Sequence, residues 1–188
     1  DLAILRALPN ISVVAPCTAN EAGEAITAMI QGGGVAYLRL DKTVAQDKDF
    51  VSSFAIGKAR RYKEGSDITL IATGGILDDV NIAAVELEKL GIDARVLGMH
   101  SIKPIDIDEI IDAVTNTGGI VTIEEHNKDG GLGSAVSEVC MDFGVMPKKF
   151  LRIGLNNTYS SIVVSQQYLK AKYKMDSIAI IDVVKEIL

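Results

Sequence analysis

The chain has 188 residues, 48% apolar and 23% charged, with a net charge of −6, which is enough apolar matter for a packed core in one or two domains and too much for a disordered chain. Its longest apolar runs, residues 11–16 and 68–72, fall far short of the ~20 residues that cross a bilayer, and no basic-then-apolar leader opens the sequence, so nothing indicates a membrane or secretion. Lys and Arg form no block, the densest basic spot (Arg60, Arg61, Lys63) is ringed by Asp and Glu, and Trp is absent, which excludes a nucleic-acid groove or a base-stacking surface.

Residues 1–8 read as a helix from the spacing of Leu2, Ile4, Leu5 and Leu8, stopped by Pro9-Asn10. Residues 11–15 read as a buried strand ended by Pro16. Thr18 or Asn20 caps a helix that runs to about Gln31, where Gly32-Gly33-Gly34 ends it, and residues 35–40 form the next strand. This is the rhythm of a parallel α/β sheet, but two strands do not stand alone, so residues 1–40 are expected to be the carboxy-terminal portion of a larger domain. Residues 41–53 are polar and aperiodic and read as a linker. Residues 54–62 and 68–73 both read as strands, and the turn sequence between them is so short that it predicts antiparallel neighbours. Regular α/β alternation follows: a helix over 78–90, a strand over 94–99, a helix over 106–116 capped by Asp106, a strand over 119–123, a helix over 131–142, a strand over 150–153, and closing helices over 166–173 and 177–188. The expectation for residues 54–188 is a mixed sheet of about five strands with one antiparallel strand at its start.

Cys17 and Cys140 lie far apart and form neither a CxxC pair nor a ligand cluster; they read as thiols in a reducing cytoplasm. Thr73-Gly74-Gly75 and Gly130-Gly131-Leu132-Gly133-Ser134 each open a helix, where bare N–H groups suit an anion, yet neither has the spacing of a nucleotide-binding loop. The first otherwise reads as a tight βα turn, the second as close packing of backbone against a neighbouring element. Glu124-Glu125-His126 stand at the end of a strand, where ligands gather in open α/β sheets. A carboxylate beside an imidazole suits proton transfer. Adjacent strand residues point to opposite faces, however, so Glu124 and Glu125 cannot serve one site if the strand continues. His100, also after a strand, reads as structural. Arg39 and Lys42 suit a phosphate or a surface salt bridge. No set of nucleophile, base and acid is present.

The order of these segments resembles the transketolase family along essentially the whole chain. Residues 1–10 (Asp1-Leu2-Ala3-Ile4-Leu5-Arg6-Ala7-Leu8-Pro9-Asn10) with Val13-Val14-Ala15-Pro16 resemble the family's pyrimidine-binding domain. Gly57-Lys58-Ala59, residues 64–74, Ile102-Lys103-Pro104-Ile105-Asp106, and Val121-Thr122-Ile123-Glu124-Glu125-His126 with the glycine loop resemble its carboxy-terminal domain. The motifs are shared with deoxyxylulose-phosphate synthase and 2-oxoacid dehydrogenase E1 beta subunits. The closing Ser165-Gln166-Gln167-Tyr168-Leu169 looks most like the carboxy-terminal subunit of a split transketolase.

The resemblance implies a parent enzyme that binds thiamine diphosphate and Mg²⁺ at a dimer interface and carries two-carbon units between sugar phosphates. It implies a cytoplasmic homodimer, with an amino-terminal subunit that carries the pyrophosphate-binding domain and its GDG-type motif. The family's glutamate to the aminopyrimidine ring has no counterpart among residues 1–188, so no catalytic or metal residue is expected here, and the chain alone is expected to be inactive. The resemblance places Arg39 towards a substrate phosphate, for which Lys42 just beyond it is the second candidate, and it implies a dimer surface on the second domain, for which Glu124, Glu125, His126, Gly130, Gly131 and Gly133 are the candidates. The alternatives are a piece of a deoxyxylulose-phosphate synthase or dehydrogenase beta subunit, or a noncatalytic oligomerisation module.

Overall fold

The computed structural model of the chain describes residues 1–42, 45–47 and 53–188. Helix α1 (Leu2–Ala7) is capped by the Asp1 carboxylate, which accepts from the Leu2 N–H. Strand β1 (Ile11–Val14), helix α2 (Ala19–Gly32) and strand β2 (Val35–Leu38) form a βαβ unit whose strands pair in parallel. Thr18 is the cap of α2, its hydroxyl accepting from the Glu21 N–H. Of the expected linker, residues 43–44 and 48–52 lie outside the described residues. Ala45 within it is buried and donates its N–H to the Cys17 carbonyl.

Strands β3 (Arg60–Lys63) and β4 (Ile68–Thr73) come next, then a 3₁₀ turn (Gly74–Ile76), helix α3 (Leu77–Lys89) and strands β5 (Ala94–Gly98) and β6 (Ser101–Lys103). Helix α4 (Ile107–Asn116), strand β7 (Ile120–Asn127), helix α5 (Leu132–Asp142), strand β8 (Phe150–Leu155) and helices α6 (Gln166–Lys172) and α7 (Ser177–Ile187) complete the chain. The larger sheet runs β3-β5-β4-β7-β8 among the described residues, with β3 antiparallel and the rest parallel.

Every residue of β4 is buried because both faces of the sheet are covered, which is why it reads as one apolar run rather than an alternation. On one face Leu70 and Ala72 pack under α3 and α7, through Leu77, Val80, Leu87, Ile180 and Val184. On the other, Ile71 and Leu97 pack under α4 and α5, through Ile110, Leu132 and Val136, and this cluster also takes in Leu2 and Val13 of the first unit.

Two expectations need correction. Strand β3 begins at Arg60 rather than at residue 54, and it pairs with β5, not with β4. Two strand spacings are about 10 Å, within reach of the four-residue connection, at about 3.3 Å per residue. That connection steps past the start of β5, where Ser66 and Asp67 donate N–H groups to the Asp93 carbonyl. Residues 101–103, given no element from sequence, form β6 and pair antiparallel with β1 around a bulge. The smaller sheet is therefore β2-β1-β6, with one strand drawn from the second half of the chain.

Candidate functional site

Strand β4 leads into α3 on one face of the sheet, and β7 leads into α5 on the other. Their neighbouring carboxyl ends are thus the point where the connections part, the place where open α/β sheets bind ligands. Most residues singled out from sequence meet here.

Glu124 is fully buried on β7. Its two carboxylate oxygens accept from the Leu132 and Gly133 N–H groups, at 2.8 and 3.0 Å, and so fill the start of α5. Burial pushes its pKa up to about 7, against the pull of those two N–H groups and of Arg152 and Arg6. Glu125 faces the other way, accepting from Gln166 at 2.7 Å with the Lys170 ammonium at 3.8 Å. The strand continues to Asn127, so the two carboxylates do not share a site.

His126 lies between Asp1, at 3.4 Å from its Nε2, and the Asn127 carbonyl, at 2.7 Å from its Nδ1. Burial lowers its pKa. The glycines have neighbours within the chain. A Cβ on Gly131 would overlap a Glu124 oxygen, one on Gly133 would meet Arg152 and Thr122, and one on Gly130 would meet Ala3.

Across the crevice, Arg39 leaves the end of β2. Its Nη1 lies 3.0 Å from Asp41 Oδ1, and its Nη2 donates to the Glu125 carbonyl at 3.2 Å. Asp41 Oδ2 in turn accepts from the Gly75 N–H at 2.8 Å, at the start of the turn into α3. Lys42 is exposed. His100 is buried elsewhere, stacked on Phe54 with ring centroids 4.1 Å apart and its Nε2 3.2 Å from the Ala55 carbonyl.

Sequence reasoning missed Asp41 and Glu21. Asp41 carries no local signal, since its partner Gly75 is 34 residues away. Glu21 does: Thr18-x-x-Glu21 has the spacing of a capping box. Its buried carboxylate accepts from the Cys17 N–H at 2.8 Å and from the Tyr62 hydroxyl at 2.9 Å, which joins α2 to β3.

The crevice is thus a ligand position in which both helix starts are held by the chain's own carboxylates. Comparison with known proteins gives it a context. A family profile described as "Transketolase, C-terminal domain" matches residues 57–180. An apulose-4-phosphate transketolase subunit of Phocaeicola vulgatus is 37% identical over 142 residues, covering 73% of this chain and 45% of that protein. A putative transketolase C-terminal section of Methanocaldococcus jannaschii is 36% identical over 173 residues, covering 90% and 54%. A solved structure titled as a split-gene transketolase, inactive beta4 tetramer, superposes with a TM-score of 0.83 at 32% identity, over 98% of this chain and 59% of that one. The chain spans about half the length of the curated relatives it matches. Motifs, sheet order and relatives agree, and the chain belongs to the transketolase family, whose C-terminal domain it carries over residues 57–180.

Proposed function

We propose that the chain is the carboxy-terminal part of a thiamine-diphosphate-dependent transferase that moves a two-carbon ketol unit between sugar phosphates. Bound thiamine diphosphate supplies the carbanion chemistry of such a reaction. The described residues do not fit the cofactor's pyrophosphate or its Mg²⁺. Glu124 and Asp41 already accept from the N–H groups at the start of α5 and of the turn into α3. Among the described residues no group of three or more His, Cys, Asp or Glu is placed to hold a metal. The match of residues 57–180 to the transketolase C-terminal domain is the observation that carries the reading. The role of residues 1–188 is assembly and placement of substrate, with the cofactor held elsewhere.

Two partners complete the proposal. One is an amino-terminal transketolase subunit with the pyrophosphate-binding domain; the other is a second copy of this chain. The words "subunit" and "C-terminal section" in the relatives' names, and the four-copy assembly in the neighbour's title, support this division. The half-buried turn from Glu125 through His126 to Gly130 is the face assigned to the second copy, with Glu124, Gly131 and Gly133 buttressing it from inside. Arg39, with Lys42 beyond it, is assigned to the substrate's phosphate, for which its guanidinium fork is suited.

Calorimetry of residues 1–188 with thiamine diphosphate and Mg²⁺ should give no saturable heat at micromolar concentrations. Transfer of two-carbon units should appear only when both the amino-terminal subunit and the rest of the pyrimidine-binding domain are supplied. Stoichiometric cofactor binding by residues 1–188 alone would overturn the proposal.

A further inference from the structure

We propose that Asp41 is a positioning residue that aims Arg39 at the substrate phosphate and takes its own place from the backbone at the end of β4. The proposal rests on the reading of Arg39 given above. The Arg39 side chain is 18% exposed and the Asp41 side chain 8%, so theirs is no loose surface pair. One edge of the guanidinium is fixed by Asp41 at 3.0 Å and by the Glu125 carbonyl at 3.2 Å, and its Nε lies 3.6 Å from Asp1. A guanidinium has five N–H donors in a rigid fork, so N–H groups remain for a ligand while the plane is held.

Asp41 has a built seat. Its Oδ2 accepts from the Gly75 N–H at 2.8 Å. Gly74 has φ of +69°, and a Cβ there would collide with that same oxygen. Only glycine at position 74 lets the carboxylate lie against this turn. The seat belongs to the five-stranded sheet, whereas Arg39 belongs to the smaller one. The larger unit would thereby act on substrate recognition through Gly75 and the Glu125 carbonyl, beyond any part in assembly. Asp41 also balances the charge of Arg39. The site then presents an oriented set of donors, which recognises a phosphate by its position more than by long-range attraction.

The test uses these residues within the complete assembled enzyme, with the whole pyrimidine-binding domain, the amino-terminal subunit, thiamine diphosphate and Mg²⁺. Asp41→Asn keeps the shape and an acceptor for Gly75 but turns an N–H₂ group towards Arg39; Asp41→Ser is a second, smaller variant. The readout is the ratio of kcat/KM for a phosphorylated aldose acceptor to that for unphosphorylated glycolaldehyde. A role in stability alone lowers both and leaves the ratio unmoved. The ratio is expected to fall about tenfold, short of the ~100-fold that misplacement costs at a reacting centre. A crystal structure of the Asp41→Asn chain should show the guanidinium displaced.

If Arg39→Ala lowers the ratio while both Asp41 variants leave it unchanged, the positioning role is wrong and the phosphate role of Arg39 stands. If Arg39→Ala leaves the ratio unchanged, the phosphate reading itself fails, and this inference with it. An Arg39 guanidinium that stays undisplaced in the Asp41→Asn crystal structure also overturns the proposal.

Discussion

Glu124 puts a carboxylate where a ligand's anion would sit, and its surroundings pull in two directions. Full burial disfavours the charged form, while the Leu132 and Gly133 N–H groups favour it, and burial dominates, with the pKa raised from 4.5 to about 7. A carboxyl raised in the folded state binds a proton that the unfolded chain has released. Its contribution to stability is therefore complete below about pH 4.5 and is lost as the pH rises through about 7. His100 and His126, with lowered values, slope the opposite way near their own range; His126 Nδ1 lies 3.7 Å from Glu124, so the difference reads the glutamate together with its effect on that imidazole. Denaturant unfolding of the parent and of Glu124→Gln across this window should give a stability gap that changes with pH, by no more than about 3 kcal/mol. A gap that stays constant across the window would remove Glu124 as its source.

Gly131 is coupled to the same carboxylate, because a Cβ there would overlap it. Gly131→Ala should lower the melting temperature sharply in the parent and much less in a Glu124→Ala background, a non-additivity that a double-mutant cycle reads directly. Equal losses in both backgrounds would detach the glycine from Glu124. The sequence marked both residues, since a strand ending in Glu-Glu-His before a glycine-rich helix start is legible as a site. It left open whether the glycines turn, bind or pack, because that depends on which side chain of a neighbouring element fills the space.

At the scale of elements, periodicity and caps carried most of the fold. Asp106 caps α4 as its position after Pro104 suggested, and it also accepts from the Ala59 N–H at 2.9 Å. What failed was pairing. The short connection from β3 to β4 implied neighbours, but a loop of that length also steps past a single strand, and the choice was made by β5, about thirty residues later in the chain. Strand β6, only three residues long, is too short to carry a period. The contact of α2 with β3 was equally hidden, because it rests on two acids of one helix. Glu21 accepts from Tyr62 at 2.9 Å, and Glu24 takes both ends of the Arg60 guanidinium at 2.7 and 3.0 Å. Burial and the neighbouring Glu21 carboxylate push the Tyr62 pKa far up, so its hydroxyl stays a donor. Tyr62→Phe removes that donor from a buried carboxylate and should cost about 1–3 kcal/mol in urea unfolding. A variant as stable as the parent would mean that Glu21 finds another partner.

For the molecule as a whole, the sequence suggested residues 1–40 and 54–188 as separate units, and the contacts between them decide how separable they are. Val13 and Leu2 lie in the same apolar cluster as Ile71, Leu97 and Ile120 of the larger unit. Backbone bonds cross as well: β6 pairs with β1, Ala15 donates to the His100 carbonyl at 2.7 Å, and Gly74 donates to the Ala15 carbonyl at 3.2 Å. At the end of α1 the Lys103 ammonium donates to the Arg6 and Leu8 carbonyls at 2.8 and 2.5 Å, where a cation suits the helix dipole. Arg6 in turn donates to the Gly130 carbonyl at 2.6 Å and pairs with Glu138. A loss of covalent continuity between the units should therefore leave them bound. Residues 1–47 and 53–188, expressed together as two fragments, are expected to co-purify and to melt in one transition. Replacing Val13 and Leu2 by Ser in the shorter fragment should separate them, because burying a hydroxyl without a partner reverses the gain from those two side chains. Fragments that elute apart, with the longer one soluble and melting cooperatively by itself, would make the units independent and the shared β6 incidental.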